Sequence, residues 1–265
     1  MRVIVTGGNS GVGRATAAAL SADGHHVTIA CRDVDKGRRA AAEMTGDVAV
    51  AALDLSDLAS VRAFADGVDA VDVLINNAGV MAVPLSRTAD GFESHIGVNH
   101  LGHFALTCLL ADRITDRVIS VASATYLFAR LHLDDLNWEH RKYNRWAAYG
   151  ESKLANLLFV AGLTVRGMRA YATDPGATDT DITRSLNMGE HPWIRRHLLH
   201  SPAQGARASL QAVTTDLPGG TYLAPRFNQI GRPKVTRLLT KATDPLTTDL
   251  LWELSAELTG CDWPG

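Results

Sequence analysis

Arg2-Val3-Ile4-Val5 runs into Thr6-Gly7-Gly8-Asn9-Ser10-Gly11-Val12-Gly13, and Arg14-Ala15-Thr16-Ala17-Ala18-Ala19-Leu20 follows. A short β-branched run, a glycine-rich turn and an alanine-rich stretch read as strand, turn and helix. In that order the turn's backbone can approach a pyrophosphate, and the first N–H groups of the helix, at its positive dipole end, face the negative charge. The spacing is G-x-x-x-G-x-G, a departure from the G-x-G-x-x-G form of the common dinucleotide fingerprint. Glycines needed only for a tight helix approach are the plainer alternative. The turn nominates Gly7, Asn9, Ser10, Gly11, Val12 and Gly13 as cofactor contacts.

The same alternation repeats along the chain. His26-Val27-Thr28-Ile29-Ala30 is a second strand, and the residue after it selects the dinucleotide: an acid there bonds a ribose 2′-hydroxyl and repels a 2′-phosphate. This chain has Cys31-Arg32, and Arg32 presents a planar fork of donors suited to a phosphate, with Arg14 and Lys36 as further charge. NADP(H) is therefore expected over NAD(H), although Asp33 offers the ribose hydroxyl a competing partner. Val48-Ala49-Val50-Ala51-Ala52-Leu53 is a third strand, with Asp54 and Leu55 where an adenine would lie. The Asp54 carboxylate either accepts from an exocyclic amine or caps the helix beginning near Ser56-Asp57. A fourth strand, Val71-Asp72-Val73-Leu74-Ile75, ends in Asn76-Asn77-Ala78-Gly79, where amides and small residues suit the close approach of a ribose and nominate Asn77, Ala78 and Gly79. Residues 117–123, 169–173 and 219–223 read as further strands, and 245–258 as a last helix. Strands alternating with helices imply an α/β fold: a single-domain Rossmann-type doubly wound parallel sheet of about seven strands, with helices on both faces.

Composition narrows the partners. The chain of 265 residues carries 26 basic and 28 acidic side chains, so it has no electrostatic footprint for nucleic acid or an anionic membrane. Cys31, Cys108 and Cys261 are widely spaced and lack a metal-ligand pattern, which fits a reducing compartment. No apolar run approaches the roughly 20 residues of a bilayer span, and a strand beginning at residue 2 leaves no room for a signal peptide. The expectation is a soluble, cytoplasmic protein with a small-molecule partner and no metal. His100 and His103, three residues apart, have metal-like spacing without a third ligand and read as core or interface histidines.

Tyr149-Gly150-Glu151-Ser152-Lys153 carries the chemistry. In a helix, Tyr149 and Lys153 share a face one turn apart, and an ammonium beside a phenol favours the phenolate, making the phenol a usable acid or base near neutral pH. An isolated pair of this kind is more often a surface contact.

Taken together, Thr6-Gly7-x-x-x-Gly11-x-Gly13, Asn76-Asn77-Ala78-Gly79, Ser123 and Tyr149-x-x-x-Lys153 resemble the short-chain dehydrogenase/reductase family over essentially the whole chain. Asp90-Gly91-Phe92-Glu93, Val98-Asn99-His100-Leu101-Gly102-His103-Phe104 and Asn144-Arg145-Trp146-Ala147-Ala148-Tyr149 resemble its branch of retinol dehydrogenases and the WW-domain-containing oxidoreductase. The resemblance implies reversible hydride transfer between NADP(H) and an apolar aldehyde, ketone or alcohol. It makes Asn99, Ser123, Tyr149 and Lys153 the catalytic set. Tyr149 would be the acid or base and Ser123 would polarise the substrate oxygen. Lys153 would lower the phenol pKa and bond the nicotinamide ribose. Asn99 would bend the helix expected over 90–110 and hold a water linked to Lys153. Pro175, Gly176 and Thr178 would grip the carboxamide. Ser120, Ala122 and Asp174 depart from the family's usual Asn, Ser, and His or Asn. Residues 1–115 would mainly bind dinucleotide, with catalysis and substrate binding in 116–265.

Substrate identity falls to an aromatic insert, 127–148, with Trp138, Tyr143 and Trp146, and to an apolar segment, 180–201, read as a lid, with packing on the body or on a partner subunit as the alternative. A homodimer or homotetramer is the family's usual state. A non-catalytic NADP-binding regulator and a light-driven tetrapyrrole reductase are the alternatives.

Overall fold

The computed structural model describes residues 1–178, 200–225 and 231–264. Eight strands form one sheet among these residues: β1 (Arg2–Thr6), β2 (His26–Cys31), β3 (Val48–Ala52), β4 (Val71–Asn76), β5 (Ile114–Val121), β6 (Arg169–Thr173), β7 (Tyr222–Pro225) and β8 (Pro233–Val235). Their order is β3-β2-β1-β4-β5-β6-β7-β8. All neighbours are parallel except β7 and β8. Covered on both faces, the central strands are apolar in runs rather than in alternation, as Val73-Leu74-Ile75 and Val118-Ile119 show.

The helices are α1 (Gly11–Ala22), α2 (Val34–Ala42), α3 (Leu58–Asp66), α4 (Ser94–Ile96), α5 (Gly102–Leu109), α6 (Arg145–Val165), α7 (Pro202–Thr214) and α8 (Pro245–Thr259), with a π-helical turn at Gly97–Leu101 between α4 and α5. One core lies under α3, α5 and α6, where Val61, Phe104 and Leu157 meet the sheet. The second lies under α1 and α7, with Ala17, Leu20 and Ala212 against Val5, Ile29 and Tyr171. Each fully buried side chain of this size stabilises the fold by about 1.5–3 kcal/mol. On the outside of α6, α8 adds Trp252, which stacks on Phe159 at 5.8 Å between centroids and meets Phe104 edge-on at 4.9 Å.

Several boundaries differ from expectation. The sheet has an eighth strand, β8, three residues long and antiparallel. The helix expected from residue 90 begins at Ser94, because Glu93 caps it by accepting from the backbone N–H groups of His95 and Ile96, and Asp90 instead accepts from the Leu58 N–H. Strand β5 ends at Val121, so Ser123 sits two residues beyond it, at the start of a 3-10 segment, Ala124–Phe128. Most of the apolar segment 180–201 lies outside the described residues; Ser201, at its end, forms a capping box with Gln204 at the start of α7. Among the described residues no helix is long and apolar enough to cross a membrane.

The chain reverses its direction of winding between β1 and β4, the place where open parallel sheets bind ligands beyond their carboxyl ends. The glycine turn after β1, the Asn76-Asn77-Ala78-Gly79 step after β4, and the segments after β5 and β6 all emerge there.

Candidate active site

These segments surround a cleft of about 790 Å3. All the cofactor candidates, from Gly7 to Thr178, line it, as do Ser123, Tyr149 and Lys153.

At its dinucleotide end, Gly7 has φ +66°, a conformation that L side chains rarely adopt. Gly13 packs so closely that an added Cβ would fall on the Asn77 Nδ2 and lie 2.5 Å from the Gly7 carbonyl oxygen. The turn is locked to β4 through Thr6. Its hydroxyl accepts from the Asn77 and Ala78 N–H groups, both at 2.9 Å, and the Asn77 amide donates to the Thr6 carbonyl at 2.8 Å. His103 completes this lock: its Nδ1 is 3.0 Å from the Asn99 carbonyl and so carries the proton, leaving Nε2 to accept from the Thr6 hydroxyl at 2.9 Å. Burial, with Lys153 adding to it, holds the His103 pKa down to about 4, so the ring is neutral at physiological pH. His103 is thus a core residue that fixes the cofactor turn.

The cations sort themselves. Arg32 lines the cleft and has no ion pair among the described residues. Lys36 also lines it. Arg14 does not; its guanidinium pairs with the exposed Glu43 carboxylate. Asp33, the competitor for the ribose, caps α2 by accepting from the Lys36 N–H at 2.8 Å. Asp54 does not cap α3, which Asp57 does; its Oδ1 accepts from the Ser56 N–H and hydroxyl at 2.9 and 2.6 Å, while the side chain still borders the cleft.

At the other end lie Ser123, Tyr149 and Lys153. Helix α6 is started by Asn144, whose side chain accepts from the Trp146 and Ala147 N–H groups, and it places Tyr149 and Lys153 one turn apart on the cleft. The Lys153 ammonium donates to the Val121 carbonyl at 2.9 Å and stands 5.7 Å from the centre of the Tyr149 ring. Burial lowers its pKa to about 8, against an upward pull from Asp174. The Tyr149 phenol is pushed well above its usual range, by burial first and by the Asp174 carboxylate, with only its hydrogen bond to Ser123 working the other way. The expected lowering by Lys153 is therefore not what this geometry produces: the ammonium points to a carbonyl rather than to the phenol, and desolvation dominates. Ser123 accepts from the Thr125 N–H at 3.3 Å, so its own proton is available to the phenol or to a substrate oxygen beside it.

Asn99 does not line the cleft. It is fully buried in the π-helical turn, where its Oδ1 accepts from the Val80 N–H at 2.8 Å and its amide donates to the Val80 carbonyl at 3.0 Å and to Ser152 at 2.9 Å. It holds the wall at Gly79 and Val80 in place from behind. The aromatic insert divides similarly. Of its three large aromatics, Trp146 borders the cleft, together with Leu127 and Phe128. Trp138 is buried beneath Arg141, whose guanidinium lies 3.9 Å from the ring centre and bridges Asp135 and Glu151, each at 2.9 Å. Tyr143 donates to Glu93 at 3.0 Å, and Glu93 also bonds His95 Nδ1 at 2.7 Å. Trp138 and Tyr143 therefore anchor the insert and do not line the cleft. The His95 ring meets Tyr149 edge-on at 6.1 Å.

Asp174 was visible in the sequence only as a departure in front of Pro175-Gly176. It is buried on the cleft with its carboxylate bonded to Ala124, Gly176 and Tyr222. An acid at the carboxyl end of β6 was the available signal.

Comparison with known proteins agrees with this architecture. The family profile described as short chain dehydrogenase matches residues 1–133. Mouse retinol dehydrogenase 12 is 42% identical over 282 residues, covering 98% of this chain and 87% of its own length. Human retinol dehydrogenase 11 is 41% identical over 276 residues, covering 97% and 85%. The crystal structure of an uncharacterized protein from Mycobacterium paratuberculosis is 46% identical and superposes with a TM-score of 0.88 over 100% of this chain and 95% of that one. With the glycine turn, the doubly wound sheet and the Tyr149–Lys153 pair all in place, the chain belongs to the short-chain dehydrogenase/reductase family, in the branch of the retinol dehydrogenases.

Proposed function

We propose that this protein is an NADP(H)-dependent oxidoreductase that interconverts an apolar aldehyde or ketone and its alcohol. The observation that carries this reading is the meeting of Ser123, Tyr149 and Lys153 at one end of a cleft whose other end holds the glycine turn and Arg32. A nicotinamide dinucleotide fits those residues. The turn has no room for a Cβ at Gly13, the backbone from Gly7 to Gly13 borders the cleft, and the Arg32 fork suits a 2′-phosphate. Gly7, Asn9, Ser10, Gly11, Val12 and Gly13 would hold the pyrophosphate, Asp54 and Leu55 the adenine, and Asn77, Ala78 and Gly79 a ribose. Pro175, Gly176 and Thr178 would hold the nicotinamide. When bound, the dinucleotide supplies or accepts the hydride.

The chain's own residues manage the proton. Tyr149, kept protonated by burial, donates to the substrate oxygen as negative charge develops there, and Ser123 donates a hydrogen bond to the same oxygen. The Lys153 ammonium, anchored on the Val121 carbonyl beside the Tyr149 ring, would bond the nicotinamide ribose. In the reverse direction the same groups accept the proton. Asn99 acts by holding Val80, and a water linking it to Lys153 would extend the proton path. Met81, Leu127, Phe128 and Trp146 supply an apolar wall, and the names of the relatives make retinal and retinol the first substrates to test.

The test is NADPH consumption, followed by absorbance, with retinal and a panel of apolar aldehydes and ketones. Wild-type protein should turn over at least one of them. Tyr149→Phe should abolish turnover while binding NADPH with unchanged affinity. A wild type that consumes no NADPH with any of them would overturn the reading.

A further inference from the structure

We propose that Asp174 is a positioning residue for the reaction: its buried carboxylate clamps the segment carrying Ser123 to the turn at Pro175-Gly176 and stands as an acidic group beside the Tyr149–Lys153 pair. The inference rests on the reading of Tyr149 as the proton donor.

Asp174 follows β6 and is 2% exposed. Three donors converge on it from three places. The Ala124 N–H, next to Ser123, reaches Oδ2 at 2.7 Å, and the Tyr222 hydroxyl on β7 reaches the same oxygen at 2.8 Å. The Gly176 N–H reaches Oδ1 at 2.7 Å. These are short, charge-assisted bonds, and they tie together two segments that must keep register if a hydroxyl and a cofactor turn are to face one substrate. Three converging donors require an acceptor-only group. A carboxylate meets all three, whereas an asparagine offers one oxygen and turns its NH2 toward a donor. The side chain at 174 is thereby specified by its surroundings.

The titratable groups that face Asp174, among the described residues, are Tyr126 of the 3-10 segment, Tyr149 and Lys153 of α6, and Tyr222 of β7. Burial leaves the Asp174 carboxyl above its usual range, and the three donors with the Lys153 charge offset part of that rise and favour the ionised form. Its negative charge favours the protonated forms of both Tyr149 and Lys153. The clamp therefore helps to keep the transferable proton on the phenol.

The test is Asp174→Asn. In protein labelled with 13C at the lysine side chains, and with the Lys153 signal assigned by Lys153→Arg, the Lys153 titration should move from about 8 to a lower pH by about one unit. In turnover, kcat should fall by roughly 10–100-fold and the alkaline limb of its pH profile should shift the same way. A purely structural role would lower kcat without moving either titration. A folded Asp174→Asn protein whose Lys153 titrates as in wild type overturns the proposal. If that variant does not fold, Asp174→Ser, which also removes the charge, decides by the same readout: a displacement of the Lys153 titration in the same direction is expected, and no displacement overturns the proposal. The lysine titration needs no turnover, so a wild type without carbonyl reductase activity counts against the function alone and leaves the clamp to be judged by its own measurement.

Discussion

Replacing His100 with leucine should make the protein markedly less sensitive to mild acid. The ring is 1% exposed, packed against Phe104 and Phe159 at 6.1 and 5.9 Å between centroids. Ser255 donates its proton to the Leu251 carbonyl, so His100 Nε2 donates to Ser255 at 2.8 Å, and Nδ1 is left buried without a partner among the described residues. Burial, reinforced by His103, drives the His100 pKa down to about 3, while an imidazole in the unfolded chain titrates near 6.5. Between those values the unfolded chain binds a proton that the native chain does not. Unfolding then takes up protons and stability falls as the pH falls. By about pH 5 this amounts to about 2 kcal/mol relative to about pH 7.5, and His103, held to about 4, adds a similar loss. The variant His100→Leu forfeits the Ser255 bond but also removes an unsatisfied nitrogen, so its stability near pH 7.5 should change by no more than about 1 kcal/mol. Urea unfolding followed by tryptophan fluorescence at the two pH values gives the comparison directly. The variant should lose about 2 kcal/mol less than wild type on acidification. An identical loss in both proteins would show that His100 is not held neutral in the native state, and the reasoning would fail.

Two further perturbations probe the cofactor end. Gly13→Ala places a methyl group against Asn77 Nδ2 and the Gly7 carbonyl; it should destabilise the protein by about 1–3 kcal/mol and weaken NADPH binding, read by a thermal scan and a fluorescence titration. Arg32→Ala should raise the KM for NADPH by roughly 10–100-fold, the loss of a charge-assisted contact, and leave the KM for NADH nearly unchanged. Equal changes for the two cofactors would refute a role for Arg32 in choosing between them.

Much of this site was readable from local sequence. The strand, glycine turn and helix of residues 2–20 form where hydrophobic period and glycine position place them, because strand and helix periodicities and the need for positive φ at Gly7 are properties of a few adjacent residues. For the same reason Tyr149 and Lys153 could be set on one helical face before any partner was known. The short antiparallel β8, begun by Pro233, carried no comparable pattern.

The rest depended on residues far apart in the chain. Glu93 delayed the start of the helix by capping it, and only its packed position under Tyr143 and His95 shows why that carboxylate is buried there. The alternatives for Asp54 were separated by which neighbours its oxygens reach. Trp138 and Trp146 look alike in an aromatic insert, yet Arg141 buries one while the other borders the cleft. The direction of the Tyr149 shift followed from how much water the fold removes around it, which no spacing of residues encodes. Local sequence thus determined the sheet's repeating units and the identity of the reactive groups, since both follow from backbone preference and side-chain chemistry. Tertiary structure alone decided their protonation and their partners, because burial and the convergence of Ala124, Gly176 and Tyr222 on Asp174 exist only once distant segments are brought together.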